Sequence, residues 1–377
     1  MKLEDFKSGS YKQQFKYKSF SPNHINHVWT WEDPSLNTLL EKATKALSSL
    51  DAFSYIVPDI DLFIEMHINK EANESSRIED TKTNMDELLL SKEEVFPEKR
   101  NDWQEVQNYI KATNFSIKEL QELPLSARWL RNTHKILMTG VRGEHKTPGE
   151  FRVSQNWIGS GTSIEGALFI PPHHTEIPDL IGDLENFLNN EDIHVPHLVR
   201  IAISHYQFET IHPFLDGNGR IGRLLITLYL IRNGMLSKPS LYLSDYFEKN
   251  KGDYYDALTT VRASNNIIHW IKFFLVAIIE TSEKGYRTFQ EILRIKKDVD
   301  KKVLTLGNRA DKGSKLLIEL YKKPNISSGA VCEALDITPI TANKLLSDFE
   351  NLGIVNETTG YKRNKKYVFE EYLNLFR

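Results

Sequence analysis

The chain of 377 residues contains one cysteine, Cys332, and no long apolar run. A single cysteine excludes an intramolecular disulfide framework and any metal or iron–sulfur site built from clustered cysteines. The longest uncharged apolar run, 273–279, is far shorter than the roughly 18 residues that span a bilayer. The first residues also hold no apolar segment typical of a secretory signal. We therefore expect a cytoplasmic protein without a membrane partner.

Glycine and proline are sparse, and neither sign of charge dominates. With 19 Gly and 14 Pro the chain is neither collagen-like nor of low complexity. A net charge of −3 argues against a protein that binds polyanions over its whole surface, although a local basic patch remains open. The composition, 40% hydrophobic and 26% charged, is that of an ordinary globular protein with room for two or three domains.

Apolar residues recur at helical spacing over most of the chain, for example from Leu36 to Leu50. The stretch 140–175 differs, because it is rich in Gly, Pro, Ser and Thr and holds short β-type runs. It predicts a loop that carries a hairpin. The fold class is therefore mainly α, and a polar segment at 299–312 marks a domain boundary.

The C-terminal residues 310–377 have the pattern of a winged helix-turn-helix. A helix is followed by two short helices around the turn 336–338, then by two β-type runs with a basic tip at 361–366. Ten basic residues against nine acidic ones give this region almost no net charge. Because the predicted recognition helix, 339–352, holds Lys344 as its only basic residue, DNA binding and protein docking are equally good interpretations.

The most informative stretch is the loop between two predicted apolar helices, 205–223. Pro213 makes an α conformation unfavourable for His212, so the first helix should end there. Gly217, Asn218 and Gly219 then open the second helix, whose unpaired N–H groups and dipole favour an anion.

Charged residues around this turn are consistent with a polyphosphate ligand. Arg220 and Arg223 share a face of the first turn, where cations are unfavourable for the helix unless an anion lies against them. Asp216 beside bound phosphates suggests a hard cation, most simply Mg²⁺. His212, at the helix end, could act as a general base. Each of these residues, taken singly, can be explained by a purely structural function. Their occurrence together within twelve residues is hard to explain in that way.

The stretch His212–Arg223 matches His-x-Phe-x-Asp/Glu-Gly-Asn-Gly-Arg-x-x-Arg at every specified position. It thereby resembles the Fic family, and the resemblance extends over roughly 60–290. It implies a helical Fic core with a small β-hairpin flap at about 151–160. We predict an N-terminal helical region over 1–110, the catalytic core over 111–298 and the winged helix over 310–377.

The resemblance implies protein adenylyl transfer, in which AMP passes from ATP to a Tyr, Ser or Thr hydroxyl of a target protein and pyrophosphate leaves. His212 would be the base, and Asp216 would hold Mg²⁺. The ATP-binding residues would be Gly217, Asn218, Gly219, Arg220, Ile221, Gly222, Arg223 and Asn250.

The nucleoside pocket is the least specific part of this assignment. Asn250, Tyr254 and Tyr255 are its candidates, but simple packing explains the two tyrosines at least as well. The target segment would add as a strand to the flap.

A second family motif, an inhibitory helix reading Ser/Thr-x-x-x-Glu-Gly/Asn, is similar to Ser75–Glu79, although Asp80 follows where the family has Gly or Asn. Glu79 would pair with Arg223 and take the place of the γ-phosphate. The competing interpretation is an ordinary surface ion pair worth under about 1 kcal/mol. The motif favours a brake within the same chain.

Two alternatives stay open. One is a DNA-binding regulator whose core only senses nucleotide, against which His212 argues, since a sensor needs no base. The other is a bifunctional enzyme in which Glu79 also orients a water that removes AMP. Self-modification and dimerisation are expectations from family analogy alone.

Overall fold

The computed structural model describes residues 1–159, 163–360 and 365–377. Helices account for most of it, as predicted, and the strands are short. The helices are Pro34–Ser54 (α1), Ile60–Ile78 (α2), Met85–Leu88 (α3), Arg100–Glu119 (α4), Ala127–Met138 (α5), Ile177–Asn189 (α6), His197–Ile211 (α7), Asn218–Arg232 (α8), Ser244–Lys249 (α9), Lys251–Ser264 (α10), Ile267–Leu304 (α11), Ala310–Lys322 (α12), Ser328–Leu335 (α13), Pro339–Asn351 (α14) and Glu370–Leu373 (α15). The strands are Gly9–Gln13 (β1), Lys18–Pro22 (β2), Asn325–Ser327 (β3), Asn356–Glu357 (β4) and Lys366–Val368 (β5).

Two consecutive helices, α7 and α8, form the centre of the core. Every side chain of α7 from Leu198 to Ile211 is buried, and α8 is buried from Arg220 to Leu230. A helix that is covered on all sides belongs to the interior of a domain. α2, α4, α6 and α11 surround this pair. The turn between α7 and α8 is therefore held by packed helices on both sides.

The N-terminal residues form a hairpin that the sequence did not predict. β1 and β2 pair antiparallel from Gly9 opposite Pro22 to Gln13 opposite Lys18. The N–H of Phe20 donates to the carbonyl of Ile170 at 2.9 Å, and its ring packs on Phe169. The expected N-terminal helical region thus begins only at α1. The short polar strands carry no periodicity of their own, and their contact with the chain at 169–170 is a tertiary one.

In the stretch 140–175, predicted as a loop that carries a hairpin, the described residues share one isolated antiparallel bridge, between Ile158 and Phe169. Pro171 and Pro172 have no N–H to donate to a ladder. The carbonyl of Pro171 instead accepts the side-chain amide of Gln155. Ser160 of the predicted docking segment lies outside the described residues.

The C-terminal region contains α12 to α15 and an antiparallel sheet in the order β3-β5-β4. Asn325 and Asn356 both lie opposite Val368 of the central strand β5. These are the elements that a winged helix-turn-helix requires, and that class stays a prediction. The basic tip falls largely on 361–364, outside the described residues.

Two of the predicted domain limits fall inside helices. The limit set between residues 110 and 111 falls inside α4, and the limit at 298 falls inside α11. The division of the chain into three regions otherwise stays a prediction.

Within the described ranges, no helix is both long and apolar enough to cross a bilayer.

The C-terminal region packs directly on α2. The buried ring of Phe63 contacts the rings of Tyr321 and Tyr372, with centroids 5.0 and 6.2 Å away. One turn further on, the ring of His67 meets that of Phe376 at 5.0 Å. α2 therefore joins the C-terminal region to the core.

We expect Phe63→Ala to lower the free energy of unfolding by about 3–5 kcal/mol, because it empties a fully buried site between two regions. Denaturant titration measures this change. Ile56→Ala, at a side chain that is 64% exposed, should change stability by no more than about 0.5 kcal/mol. Equal effects of the two substitutions would contradict the proposed role of Phe63.

Candidate active site

The turn between α7 and α8 begins at His212, as predicted. α7 ends at Ile211, and His212 takes a left-handed conformation with φ 50° while its N–H still donates to the carbonyl of Phe208 at 2.9 Å. Pro213 follows and cannot donate to a further helical turn. The imidazole is thereby turned out of the helix, with its side chain 20% exposed.

Asn218 closes the turn with its side-chain amide. Its Oδ1 accepts the N–H of Phe214 at 2.8 Å, and its Nδ2 donates to the carbonyl of the same residue at 2.9 Å. Gly217 reverses the chain with φ 75° before α8 starts. Asn218, predicted as a nucleotide contact, therefore has a structural function through its side chain, while its backbone N–H is one of the unpaired donors of the helix start.

Gly219 lies where the backbone of α8 is approached most closely. A Cβ built on this residue would collide with Glu79 Oε1 and would come within 2.9 Å of an Arg223 nitrogen. The carboxylate of Glu79 thus lies directly against the N-terminal turn of α8, a position that favours an anion.

Arg223 is buried and donates to three acceptor atoms in the last turn of α2 and directly after it. Its Nε donates to Ser75 Oγ at 2.9 Å, and one terminal nitrogen donates to the Ser75 carbonyl at 2.8 Å and to Glu79 Oε1 at 2.7 Å. Its side chain is 2% exposed, against 35% for Glu79. The structure therefore brings together the two halves of the predicted brake, which are 144 residues apart.

The electrostatics fit this pairing. Burial by itself raises the pKa of the Glu79 carboxyl, but the charge of Arg223 and its hydrogen bond outweigh burial and leave that pKa below its usual value. Asp80 follows with φ 66° and is exposed. This is the conformation that Gly or Asn usually adopts after a helix, and Asp also tolerates it. The departure from the family motif therefore leaves the end of α2 intact.

Arg220 is held by a residue that the sequence analysis missed, Glu105 of α4. Arg220 donates to Glu105 Oε2 at 3.3 Å, while Arg142 donates to the other oxygen at 2.9 Å. The arginine is buried and its Nε has no partner. Periodicity had predicted a helix around Glu105 but could not show which residue, 115 positions away, it would meet.

The backbone of the turn is fixed by two buried flap residues. Arg152 donates from Nε to the carbonyl of His212 at 3.0 Å and from its N–H to that of Pro213 at 2.9 Å. Asn156 donates to the carbonyls of His212 and Phe214. Burial, and then the charge of Arg152, lower the pKa of His212 to about 4. The imidazole is therefore neutral at physiological pH, as a base must be.

His134 of α5 positions the turn from the other side, and the sequence analysis did not single it out. Its Nδ1 accepts the N–H of Gly149 at 2.9 Å, so Nε2 carries the proton and donates to the Asp216 carbonyl at 2.9 Å. The ring stacks on Phe214 with centroids 3.8 Å apart. A lone histidine in an amphipathic helix gave no signal of this function.

Asp216 is exposed beside the helix start, and its Oδ1 accepts the N–H of Gly217 at 2.6 Å. An exposed carboxylate is a suitable donor for a hard cation. Among the described residues no group of three or more His, Cys, Asp or Glu could hold a metal ion. The assignment of Asp216 as a Mg²⁺ ligand stays a prediction.

The remaining three residues that were predicted to bind ATP do not point into the turn between α7 and α8. Ile221 is buried in the core, and a Cβ on Gly222 would collide with Glu209, so both face the protein rather than the turn. Asn250 joins α9 to α10 and donates to the carbonyl of Tyr246 at 2.8 Å. The ATP contacts assigned to these three residues stay predictions.

The two tyrosines predicted for the nucleoside pocket, Tyr254 and Tyr255, differ in their surroundings. The hydroxyl of buried Tyr254 lies 2.9 Å from His205 Nε2, which supports packing. Tyr255 is 40% exposed. The nearby charge of Glu79, after burial, raises its pKa, so it faces the anion site.

The comparisons with known proteins agree with this geometry. A model described as Fic/DOC family N-terminal matches residues 37–118, and the Fic/DOC family model matches 124–230. The chain belongs to the Fic/DOC family.

Curated relatives carry adenylyltransferase names. "Probable protein adenylyltransferase aq_aa38" of Aquifex aeolicus is 41% identical over 87 residues, 23% of this chain and 27% of that protein. "Protein adenylyltransferase Fic" of Drosophila grimshawi is 35% identical over 141 residues, 36% of this chain and 27% of that protein. The matches thus span about a quarter of the length of these relatives.

Solved structures share the fold. A Fic family protein from Desulfovibrio desulfuricans G20 superimposes with a TM-score of 0.57 at 20% identity, over 92% of this chain and 98% of that one. A Fic domain containing signaling protein from Bacteroides thetaiotaomicron gives 0.53 at 19% identity, over 67% and 97%. The mainly helical Fic fold of the prediction is confirmed.

The buried, neutral His134 should make stability depend on pH. Burial lowers its pKa from 6.5 to about 4, so between these values the unfolded chain binds the extra proton and stability falls as the pH falls. His134→Gln should flatten this dependence by about 1.4 kcal/mol per pH unit, measured by denaturant titration at several pH values. The exposed control His145→Gln should leave the slope unchanged. An unaltered slope in His134→Gln would refute the neutral assignment.

Proposed function

We propose that this protein is a protein adenylyltransferase that transfers AMP from ATP to a hydroxyl of a target protein and is held at rest by Glu79. The observation that carries the proposal is the anion-binding start of α8, where the carboxylate of Glu79 lies on Gly219 and on Arg223. A carboxylate in this position supports the interpretation that the helix start binds anionic groups such as phosphates. The names of the relatives support the reaction class.

ATP would lie with its phosphates along this helix start. The unpaired N–H groups from Asn218 to Arg220 would bind the α- and β-phosphates, and the two arginines would bind the β- and γ-phosphates. Both guanidinium groups are buried and prealigned by carboxylates, Arg220 by Glu105 and Arg223 by Glu79. Such groups need little reorganisation when charge develops on a phosphate.

Asp216 is the residue that would hold Mg²⁺, since its carboxylate is exposed beside the phosphate position. When bound, the ion would neutralise charge on the phosphates. The Gly217 N–H on Oδ1 and the His134 contact on the carbonyl of Asp216 fix this residue from two sides.

The reaction then requires one proton transfer. His212 Nε2 accepts the proton of the target hydroxyl, whose oxygen forms a bond to the α-phosphorus. The bond between the α-phosphorus and the oxygen that bridges to the β-phosphorus breaks, and pyrophosphate leaves with that electron pair. The target segment would lie along the flap, where Val153 and Leu168 are 83% and 85% exposed.

Glu79 would inhibit by occupying the place of the γ-phosphate. Its carboxylate and a phosphate cannot both bind the same terminal nitrogen of Arg223 at 2.7 Å. ATP without this contact would lie with its α-phosphate displaced from His212, and misplacement of that kind strongly lowers the rate. Because α2 and α8 belong to one chain, inhibition would be intramolecular.

We expect Glu79→Gly to raise the transfer of label from ATP labelled at the α-phosphate to protein, because it frees Arg223 for ATP. Protein-bound label is measured with Mg²⁺ present and lysate supplied as target. The double variant Glu79→Gly, His212→Ala should transfer none, since it lacks the base.

Asp80→Gly is the matched control. It alters the adjacent residue, whose φ of 66° suits glycine, and keeps the contact of Glu79 with Arg223. It should therefore stay as inactive as the wild type. Equal activation by Asp80→Gly would contradict the brake, and absence of label in every variant would contradict the transferase.

A further inference from the structure

Glu209, in the last turn of α7, is a buried carboxyl that the proposed mechanism does not use. Its side chain is 9% exposed, and its Oε1 makes no hydrogen bond in the structure. Its Oε2 lies 4.0 Å from His212 Nδ1, a buried atom that also has no hydrogen-bond partner. The unpartnered Nδ1 of His212 thus faces this carboxyl group across a gap about 1 Å longer than a hydrogen bond.

The position of Glu209 depends on the close packing of α7 against α8. A Cβ on Gly222 would collide with Glu209 Oε1, so any larger residue at 222 would displace the carboxyl. Several charged or titratable groups surround it. They are His212 at the end of α7, Arg223 on α8, Glu79 after α2, and Arg262, Tyr254 and Tyr255 on α10.

The chemistry of imidazole gives this arrangement a use. A neutral histidine has one donor and one acceptor nitrogen, and the group that faces one nitrogen selects which of the two holds the proton. A base that works through Nε2 needs its proton on Nδ1. A carboxylate is a strong acceptor for that proton and also stabilises the imidazolium that forms when the base takes up a second one.

We propose that Glu209 is a positioning residue for His212, which accepts the Nδ1 proton and leaves Nε2 free to take the proton of the target hydroxyl. This inference rests on the proposed transferase function. The 4.0 Å gap closes by a small rotation of either side chain, and catalytic hydrogen bonds are often long in the absence of substrate. The backbone carbonyl of Glu209 is the competing acceptor.

The charge state of Glu209 supports a function in the neutral pH range. Burial raises its pKa to about 7, although Arg223 acts in the opposite direction. Below that pH the carboxyl becomes protonated and can no longer act as a pure acceptor. The charge of Glu79 contributes to this raised pKa, so with Glu79 removed the rate should fall as the pH decreases below about 7.

The kinetic test uses the full chain in the Glu79→Gly background and compares it with Glu79→Gly, Glu209→Gln. Glutamine has the same size but stays neutral at every pH. We expect kcat to fall by roughly ten- to hundredfold, with the KM for ATP changed by less than about twofold. The decrease in rate on acidification should also move to lower pH. Glu79→Gly, Glu191→Gln, at an exposed site, should match the parent in both respects.

A second measurement does not depend on transferase activity. The ¹⁵N shifts of histidine-labelled protein report which ring nitrogen carries the proton, and His212→Ala identifies the signal of His212. The parent should show the proton on Nδ1, and Glu209→Leu should reduce that population. Thermal unfolding of each variant shows whether it is folded.

The outcomes separate the two claims. A folded Glu209→Gln variant whose pH dependence is unchanged, or a His212 signal that is unchanged in Glu209→Leu, would overturn the proposal and leave the backbone carbonyl as the acceptor. If no variant transfers label, the proposed function fails, and the ¹⁵N shifts alone decide whether Glu209 selects the proton position.

Discussion

The buried contact of Arg223 with Ser75 and Glu79 is the interaction on which the rest of the site depends. A guanidinium that is 2% exposed needs acceptors, because an unpaired buried charge is costly. In this structure Ser75 and Glu79 supply them. In the proposed function the γ-phosphate of ATP would offer the same kind of oxygen acceptor, so Arg223 would stay satisfied when Glu79 leaves.

α2 connects this contact to distant parts of the molecule. Its first half is covered by the C-terminal region through Phe63 and His67, and its end carries Glu79. The turn between α7 and α8 is held by polar side chains that form hydrogen bonds with its backbone groups. Asn218, Arg152 and His134 each hold carbonyl or N–H groups of the turn that no regular structure satisfies. The geometry of the turn is thereby set before any ligand arrives.

Local patterns in the sequence predicted the helices and the anion-binding turn well. The end of α7 at Ile211 follows from Pro213, and the opening of α8 follows from Gly217. The hairpin 9–22 was not predicted. The short polar strands of this hairpin carry no periodicity of their own, and Phe20 holds them to residues 169–170, far away in the chain.

The sequence by itself predicted the anion-binding turn from His212 to Arg223 and an upstream helix that ends at about Glu79, because residue type and spacing along one helix are local properties. Only the tertiary structure decided that Glu79 lies on Arg223, that Glu105 holds Arg220 and that Glu209 faces His212. These pairs involve either separate helices or the exact rotation of a side chain, and both are set by how α2, α4, α7 and α8 pack together.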